Sequence, residues 1–308
     1  MGKKATREAY GEALAELGKR NSKVVVLDAD LSKSTKTATF QKDFPERFIN
    51  VGIAEADLMG TAAGFATAGM IPFASTFAMF AAGRAFEQIR NTIAYPKLNV
   101  KICPTHAGIS VGEDGGSHQS IEDLTLMRAI PGMVVLCPAD AEETKQMIFA
   151  AAEYDGPVYV RLGRLPTPDL FDSNYKFEIG KASTLREGTD VTIVATGMLV
   201  AEAVEASDKL KEEGINVRVL NFGSIKPIDE EALKLASKET KFILTAEEHS
   251  VIGGLGGAVA EYVSENCPTK VVRLGVYDRF GESGKGDELL VKFGLKSVDI
   301  IKKIKENL

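Results

Sequence analysis

The sequence predicts an α/β protein of two doubly wound domains with mainly parallel sheets. Three observations lead there. Short β-branched runs alternate with helical patterns along nearly the whole chain, the mark of parallel sheets covered by helices on both faces. The alternation fails once, between about residues 165 and 188, and then resumes. Finally, 308 residues with 44% hydrophobic and 26% charged content suffice for two ordinary cores.

In order along the chain, MGKKATREAYGEAL lacks the apolar core of an export signal and reads as the start of a helix. Strands are expected at 24–27, 100–104, 134–137 and 158–161. Asp140 with Glu143 forms the acid pair of a capping box, opening a helix to about Glu153. The run from 58 to 83 is uncharged and long enough to cross a bilayer, but Pro72 interrupts it and Gly, Ala, Thr and Ser dilute it. A buried helix, a turn and a strand are expected there, and no membrane span. Pro166, Pro168, Asp172, Ser173, Asn174 and Gly180 then break all periodicity. This places a linker at 166–188, between a first domain of residues 1–165 and a smaller second domain of 189–308. The second series has strands at 191–195, 217–220, 242–246 and 271–274, with helices to about Glu213, from Asp229, and after Gly257.

Composition excludes some classes of function. The net charge of −6 is spread over mixed Lys and Glu with no basic stripe, so the phosphate-neutralising surface of a nucleic-acid binder is missing. Cys103, Cys137 and Cys267 are odd in number, far apart and each followed by proline, which fits small buried side chains in a reducing, cytoplasmic setting better than metal ligands.

Two segments combine glycine with histidine. Residues 104–121, PTHAGISVGEDGGSHQSI, hold two of the three histidines, a Glu-Asp pair and four glycines. Glycines permit close backbone approach to a ligand, and imidazoles exchange protons near neutral pH. Residues 247–262, EEHSVIGGLGGAVAEY, superficially match a dinucleotide-binding turn, with Gly254 and Gly256 as the first glycines. Val259 fills the third position, however, and no acid ends a following strand at the needed distance. A tight turn with close helix packing is expected there, with His249 holding the turn rather than doing chemistry.

Further polar and aromatic groups stand where a bland sheet has no use for them: Arg7, the DADLSKST turn with Ser34, VGIAEADL with Glu55, STFAMF with Phe77 and Phe80, and Arg164. Singly, each has an ordinary reading. Glu55 suits a helix N-terminus, the two phenylalanines share a helical face as core residues would, and Arg164 suits a surface. All of them fall near loops or strand ends of one parallel sheet, where ligands of such folds gather.

With these motifs in this order, nearly the whole chain resembles the C-terminal half of a transketolase, a pyrimidine-binding domain followed by the family's C-terminal domain. STFAMF and GEDGGSHQ carry the resemblance most specifically; beta subunits of the pyruvate dehydrogenase type share the architecture but lack the histidine loop. The resemblance implies thiamine diphosphate as cofactor. It makes Glu55 the acid that exchanges a proton with the cofactor's pyrimidine ring, with Val51, Ile53, Ala54 and Leu58 as apolar surroundings favouring its protonated form. It makes Phe77 and Phe80 the wall against that ring. Gly83 stands where many members carry a tyrosine completing the wall. His118 becomes the proton carrier at the reacting carbonyl and hydroxyl, Asp114 the reader of a sugar hydroxyl, and Arg7, Ser34, His106 and Arg164 the holders of a sugar phosphate. Ala107 replaces an aspartate common in full-length transketolases, and the AGI that follows is similar to 1-deoxyxylulose-5-phosphate synthase.

The family holds Mg²⁺ with a GDG motif and a downstream asparagine in a separate domain. The nearest sequence here, Gly286-Asp287-Glu288, is too close to the C-terminus. The resemblance therefore implies a half-site: the C-terminal subunit of a split transketolase, transferring a two-carbon ketol unit between sugar phosphates, dimeric in itself and joined to an N-terminal subunit as a heterotetramer. A split synthase resembling 1-deoxyxylulose-5-phosphate synthase and a non-catalytic regulatory module of the same fold are the rival readings.

Overall fold

The computed structural model describes residues 2–308 and contains two α/β units packed on one another. In the first, parallel strands lie in the spatial order Val134–Leu136, Val158–Val160, Lys101–Ile102, Ile71–Ser75, Val24–Asp28, Phe48–Asn50. Val24–Asp28 and Val134–Leu136 are buried at every residue, which is why they read as unbroken apolar runs. Helices Thr6–Arg20 and Ala141–Glu153 cover one face over Tyr10, Leu14, Phe73 and Met147. Helix Glu55–Thr67 and the π-helices Met79–Arg84 and Gln88–Ala94 cover the other over Leu58, Met59, Ile89 and Tyr159.

The second unit has parallel strands in the order Val271–Val276, Ile243–Ser250, Val191–Ala195, Val217–Asn221, with Ser183–Arg186 antiparallel at the edge. Its larger core takes in Ile109, Ile121 and Ala139 from the first unit, so the two units share apolar packing.

Several elements differ from the sequence reading. The stretch expected as a linker contributes to two sheets: Pro166–Pro168 pairs antiparallel with Lys3–Ala5, and Ser183–Arg186 edges the second sheet. Both are edge positions, where proline and broken alternation are tolerated and leave little periodic signal. Ser224–Lys226 crosses over to pair antiparallel with Val134–Leu136 on the first sheet. The strand expected at 100–104 shortens to Lys101–Ile102, and the helix expected after Gly257 begins at Leu255. The run from 58 to 83 gives a helix, a turn and strand Ile71–Ser75, but the helix is buried on one face only, with Gly60, Gly64 and Thr67 exposed. The capping box is half formed. Asp140 accepts from Glu143 N at 2.9 Å, whereas the Glu143 carboxyl turns to Ala139 N (2.6 Å) and to Asn221 Nδ2 of the second unit (2.7 Å). Cys103 and Cys137 are buried and Cys267 half-buried, all unpaired. Among the described residues no helix is long and apolar enough to cross a membrane, and no His/Cys/Asp/Glu cluster could hold a metal.

Strand Val24–Asp28 lies between the strand that follows it and the one after that, so the chain leaves it in opposite directions. Such a switch point opens a crevice at the carboxyl ends of the strands.

Candidate functional site

The segments that follow the strand ends at that crevice carry the candidate site residues, except Arg7, which projects from the first turn of helix Thr6–Arg20. Ser34 follows Val24–Asp28, Glu55 follows Phe48–Asn50, and Phe77 and Phe80 follow Ile71–Ser75. His106, Asp114 and His118 follow Lys101–Ile102, and Arg164 follows Val158–Val160. The first of these loops is held by buried Asp28, whose carboxylate accepts from Leu31 N at 2.6 Å and from the Thr35 and Thr37 hydroxyls at 2.7 and 2.8 Å. Burial raises the Asp28 carboxyl above its ordinary range.

An aromatic cluster forms the middle of the site. Phe77 stacks on His106 with ring centroids 4.0 Å apart and on Phe80 at 6.0 Å, while His118 stands edge-on to Phe80 at 5.3 Å. The two phenylalanines do not share a helical face. Phe77 bridges to Thr105 as an extension of the sheet, and Phe80 lies in the first turn of the π-helix. A Cβ on Gly83 would lie 2.5 Å from the Met79 methyl, so Met79 takes the space beside this glycine.

Glu55 is the first residue of its helix and only 3% exposed. Its expected apolar surroundings are incomplete, because the loop conformation turns Ile53 outward to 78% exposure. A cation faces it instead: Arg84 Nη1 lies 3.4 Å from Glu55 Oε2, and the guanidinium sits 5.2 Å from the Phe80 centroid. Sequence reading missed Arg84. The available signal was its place as the first charge after the uncharged run.

At the other end, Arg7 Nη1 donates to the Ser34 carbonyl at 3.0 Å and meets His106 Nε2 at 3.2 Å. Arginine offers only donors, so His106 Nε2 must accept, and its Nδ1 proton points to Thr105 Oγ1 at 2.8 Å. The imidazole is thus neutral. Burial first, then the Arg7 and Arg164 charges, push its pKa down to about 3. His106 is itself held at left-handed φ 58°. In this arrangement it orients Arg7 and has no free N–H for an anion, and Ser34 contributes its carbonyl to Arg7. Arg164 Nη1 bonds the Val111 carbonyl and lies 3.3 Å from Glu113 and 3.6 Å from Asp114. The site therefore joins Glu55, Arg84, Phe80, His118, Phe77, His106, Arg7 and Ser34 by successive contacts, with Arg164 and Asp114 paired at its mouth.

His249 lies outside this crevice and is completely buried. Its Nδ1 donates to the Ser250 carbonyl at 2.8 Å, and neighbouring Glu247 accepts from Leu255 N and Gly256 N, both at 2.7 Å. The glycine turn at 253–257 is a helix start held by a buried acid.

Comparison with known proteins agrees with this architecture. Residues 2–168 match the family model "Transketolase, pyrimidine binding domain" and residues 180–300 the model "Transketolase, C-terminal domain". The chain is 55% identical, over 99% of its length and 96% of the relative's, to a putative transketolase C-terminal section of Methanocaldococcus jannaschii. It is 45% identical, over 96% and 92%, to the 6-deoxy-6-sulfo-D-fructose transketolase subunit SqwH of a Clostridium species. Among solved structures, a split gene transketolase described as an inactive beta4 tetramer superposes with a TM-score of 0.92 at 58% identity, covering 98% of this chain and 97% of that one. The chain belongs to the transketolase family and is a subunit of its split form.

Proposed function

We propose that this chain is the C-terminal subunit of a thiamine diphosphate-dependent transketolase that moves a two-carbon ketol unit from a ketose phosphate to an aldose phosphate, as in cytoplasmic pentose phosphate metabolism. The observation that carries the reading is the order of groups along one crevice. A buried acid stands at an aromatic wall, a half-exposed imidazole lies against the wall, and two guanidinium groups follow. In this reading residues 1–165 form the pyrimidine-binding domain, 166–188 a linker with edge strands, and 189–308 the C-terminal domain.

The residues present fit the cofactor. Arg84 sets a planar group of N–H donors against Glu55 and over Phe80, the contacts that the edge and face of an aminopyrimidine ring would use. When bound, the cofactor supplies an acidic ring carbon that becomes a nucleophile and a ring that accepts electron density. Glu55 would hold a proton at its carboxyl and exchange it with a ring nitrogen, with Arg84 displaced. Phe77 and Phe80 would exclude water from the ring face. His118, whose Nδ1 lies 3.0 Å from Ser117 Oγ, would carry a proton to and from the substrate oxygens. Asp114 would accept from a sugar hydroxyl. Arg7 and Arg164 would take the phosphate, with Ser34 and His106 supporting Arg7; a dianion would also draw a proton onto His106.

The diphosphate and Mg²⁺ would be held by an N-terminal partner subunit carrying the GDG motif, in a heterotetramer built on a dimer of this chain. The test is to assay ketol transfer between sugar phosphates by this chain with and without the partner, with the cofactor and Mg²⁺ present. Folded but inactive chain alone and activity on mixing are expected; turnover by the chain alone would overturn the half-site reading. The sulfofructose-acting relative favours one second reading, a sulfonated donor, since guanidinium pairs accept a sulfonate as they do a phosphate. Parallel assays with phosphorylated and sulfonated ketoses separate the two.

A further inference from the structure

We propose that the second domain sets the position of the loop carrying Asp114 and His118, with Gln119 and Glu248 as the positioning residues. What the loop does rests on the reading above; how it is held does not.

The loop has little regular structure of its own. Its only regular element is the single turn Ile109–Val111, and its backbone is left-handed at His106, Gly108, Gly112 and Gly115, with φ of 58°, 85°, 86° and 73°. Bonds within it, such as Gly108 N to the Ser120 carbonyl (2.8 Å) and His118 N to the Gly115 carbonyl (3.0 Å), are joined by supports from across the domain boundary. The Glu248 carboxylate accepts from Ser110 N, and Gly108 lies so close that a Cβ there would sit 2.4 Å from Glu248 Cδ. Gln119, next to His118 and only 2% exposed, donates from Nε2 to the carbonyls of Ile109 (3.0 Å), Gly112 (3.3 Å) and, in the second domain, Glu282 (3.0 Å). Two N–H groups thus serve three carbonyls that lie on both sides of the boundary.

The fit is backbone against backbone. A Cβ on Gly116 would stand 2.7 Å from the Gly281 carbonyl oxygen, and one on Gly281 would overlap Gln119 Oε1. Behind the loop, Arg161 Nη2 donates to the carbonyls of both Ser120 (3.2 Å) and Glu248 (2.9 Å), while its Nε is bound to buried Asp123 at 3.0 Å. Glu248 is therefore fixed by its backbone while its carboxylate fixes the loop. Catalysis is sensitive to such supports, since misplacing a reacting group by about 1 Å costs up to about 100-fold.

The test uses Gln119→Met, which keeps volume and removes both donors, Glu248→Ala, which removes the acceptor, and Glu248→Gln, which keeps one acceptor oxygen for Ser110 N–H. In the assembled complex, kcat/KM is expected to fall about 100-fold in the first two and to stay within about threefold in the third. Cofactor affinity, read by calorimetry, should stay near wild type, because Glu55, Phe77 and Phe80 lie on other loops.

An activity-free readout comes from histidine NMR of the chain alone. His118 stands 5.3 Å and 6.3 Å from the Phe80 and Phe77 ring centres, so ring currents displace its resonances. Gln119→Met and Glu248→Ala should both move the His118 signals, and Gln119→Met should leave buried His249 unchanged; Glu248→Ala, next to His249 in the chain, is read at His118 alone. Unmoved His118 signals in both variants would overturn the proposal. So would displacement of His249 in Gln119→Met or a parallel loss of cofactor affinity, which would mark a general structural role, or a Glu248→Gln variant as impaired as Glu248→Ala. If His118 moves as expected but the wild-type complex transfers no ketol unit, the positioning stands and the proposed function fails.

Discussion

Residues 104–121 and 247–262 share a vocabulary of glycine, glutamate and histidine, the first following a strand of a parallel sheet and the second running out of the end of one. They do opposite things. In the first, the imidazole of His118 stands in an open crevice at a switch point, and Arg164 and Asp114 remain partly exposed beside it. In the second, the corresponding end of strand Ile243–Ser250 is closed by the other domain: Thr125 Oγ1 donates to the Ile252 carbonyl, and Arg128 bonds the Gly253 and Gly254 carbonyls. Histidine and glycine together therefore do not mark a site. What distinguishes the two is whether the polar groups find their partners inside the protein.

Each region has a nearly inaccessible acid, Glu55 at 3% exposure in the crevice and Glu247 at 1% within the second segment, and substituting both tests the contrast most sharply. Glu55→Gln should cut ketol transfer by about 1000-fold with an unchanged melting temperature, since an amide cannot exchange the proton. Glu247→Gln can keep only one of the two backbone N–H bonds at the Leu255 helix start, so its loss should appear as a lower melting temperature. Glu55→Gln activity within about tenfold of wild type would remove Glu55 from its role.

The histidines give the next largest effect. His118→Ala should lower kcat by about 100-fold with little change in stability, as for a lost acid-base group. If kcat held and only KM rose, His118 would be a binding group and its loop a recognition loop.

His249 should show itself only through pH. Its Nδ1–H is satisfied by Ser250, its Nε2 has no partner, and Asp123 at 4.0 Å and Glu247 at 3.8 Å are too far to compensate burial. Burial, partly opposed by Asp123, pushes its pKa down to about 4. The folded state then keeps the ring neutral while the unfolded chain protonates near its ordinary value of about 6.5. The resulting stability is complete above about pH 6.5 and is lost as pH falls toward 4. Arg161, Glu248 and Glu247 also face this pocket, so the informative quantity is the difference between wild type and His249→Gln in melting temperature from pH 8 to 4. A shallower acid decline is expected in the variant; identical slopes would mean that His249 is already charged in the fold.

Much of this was legible before any coordinates. The βα alternation located the sheets because a strand buried on both faces must be apolar throughout, and strand ends then placed Ser34, Glu55 and Arg164 near one crevice. The reading of the glycine segment as a tight turn followed from the missing third glycine, but Glu247, not His249, holds that turn. Arg84, Gln119 and Glu248 were not legible, because their roles depend on partners 29, 163 and 138 residues away. Ser224–Lys226 was invisible for a similar reason: a short edge strand has no periodicity of its own, and its partner belongs to the other domain. The acceptor role of His106 toward Arg7 required the distances on both ring nitrogens.

The smallest expected effect lies at the mouth of the site. Arg164 is about one-third exposed and shares its charge with Glu113 and Asp114, so solvent and those carboxylates already screen it. A charge-assisted bond from it to a phosphate, discounted for that screening, is worth about 1.4 kcal/mol, or roughly tenfold in affinity. Arg164→Ala should therefore raise KM for phosphorylated acceptors by about tenfold and leave kcat nearly unchanged, since a contact equal in ground and transition states affects binding alone. Non-phosphorylated acceptors should barely notice, and added salt should narrow the gap between the two classes. Equal damage with both classes would mean that Arg164 acts by holding Val111 and Asp114 in place, which would move it from the phosphate site to the supports of the loop.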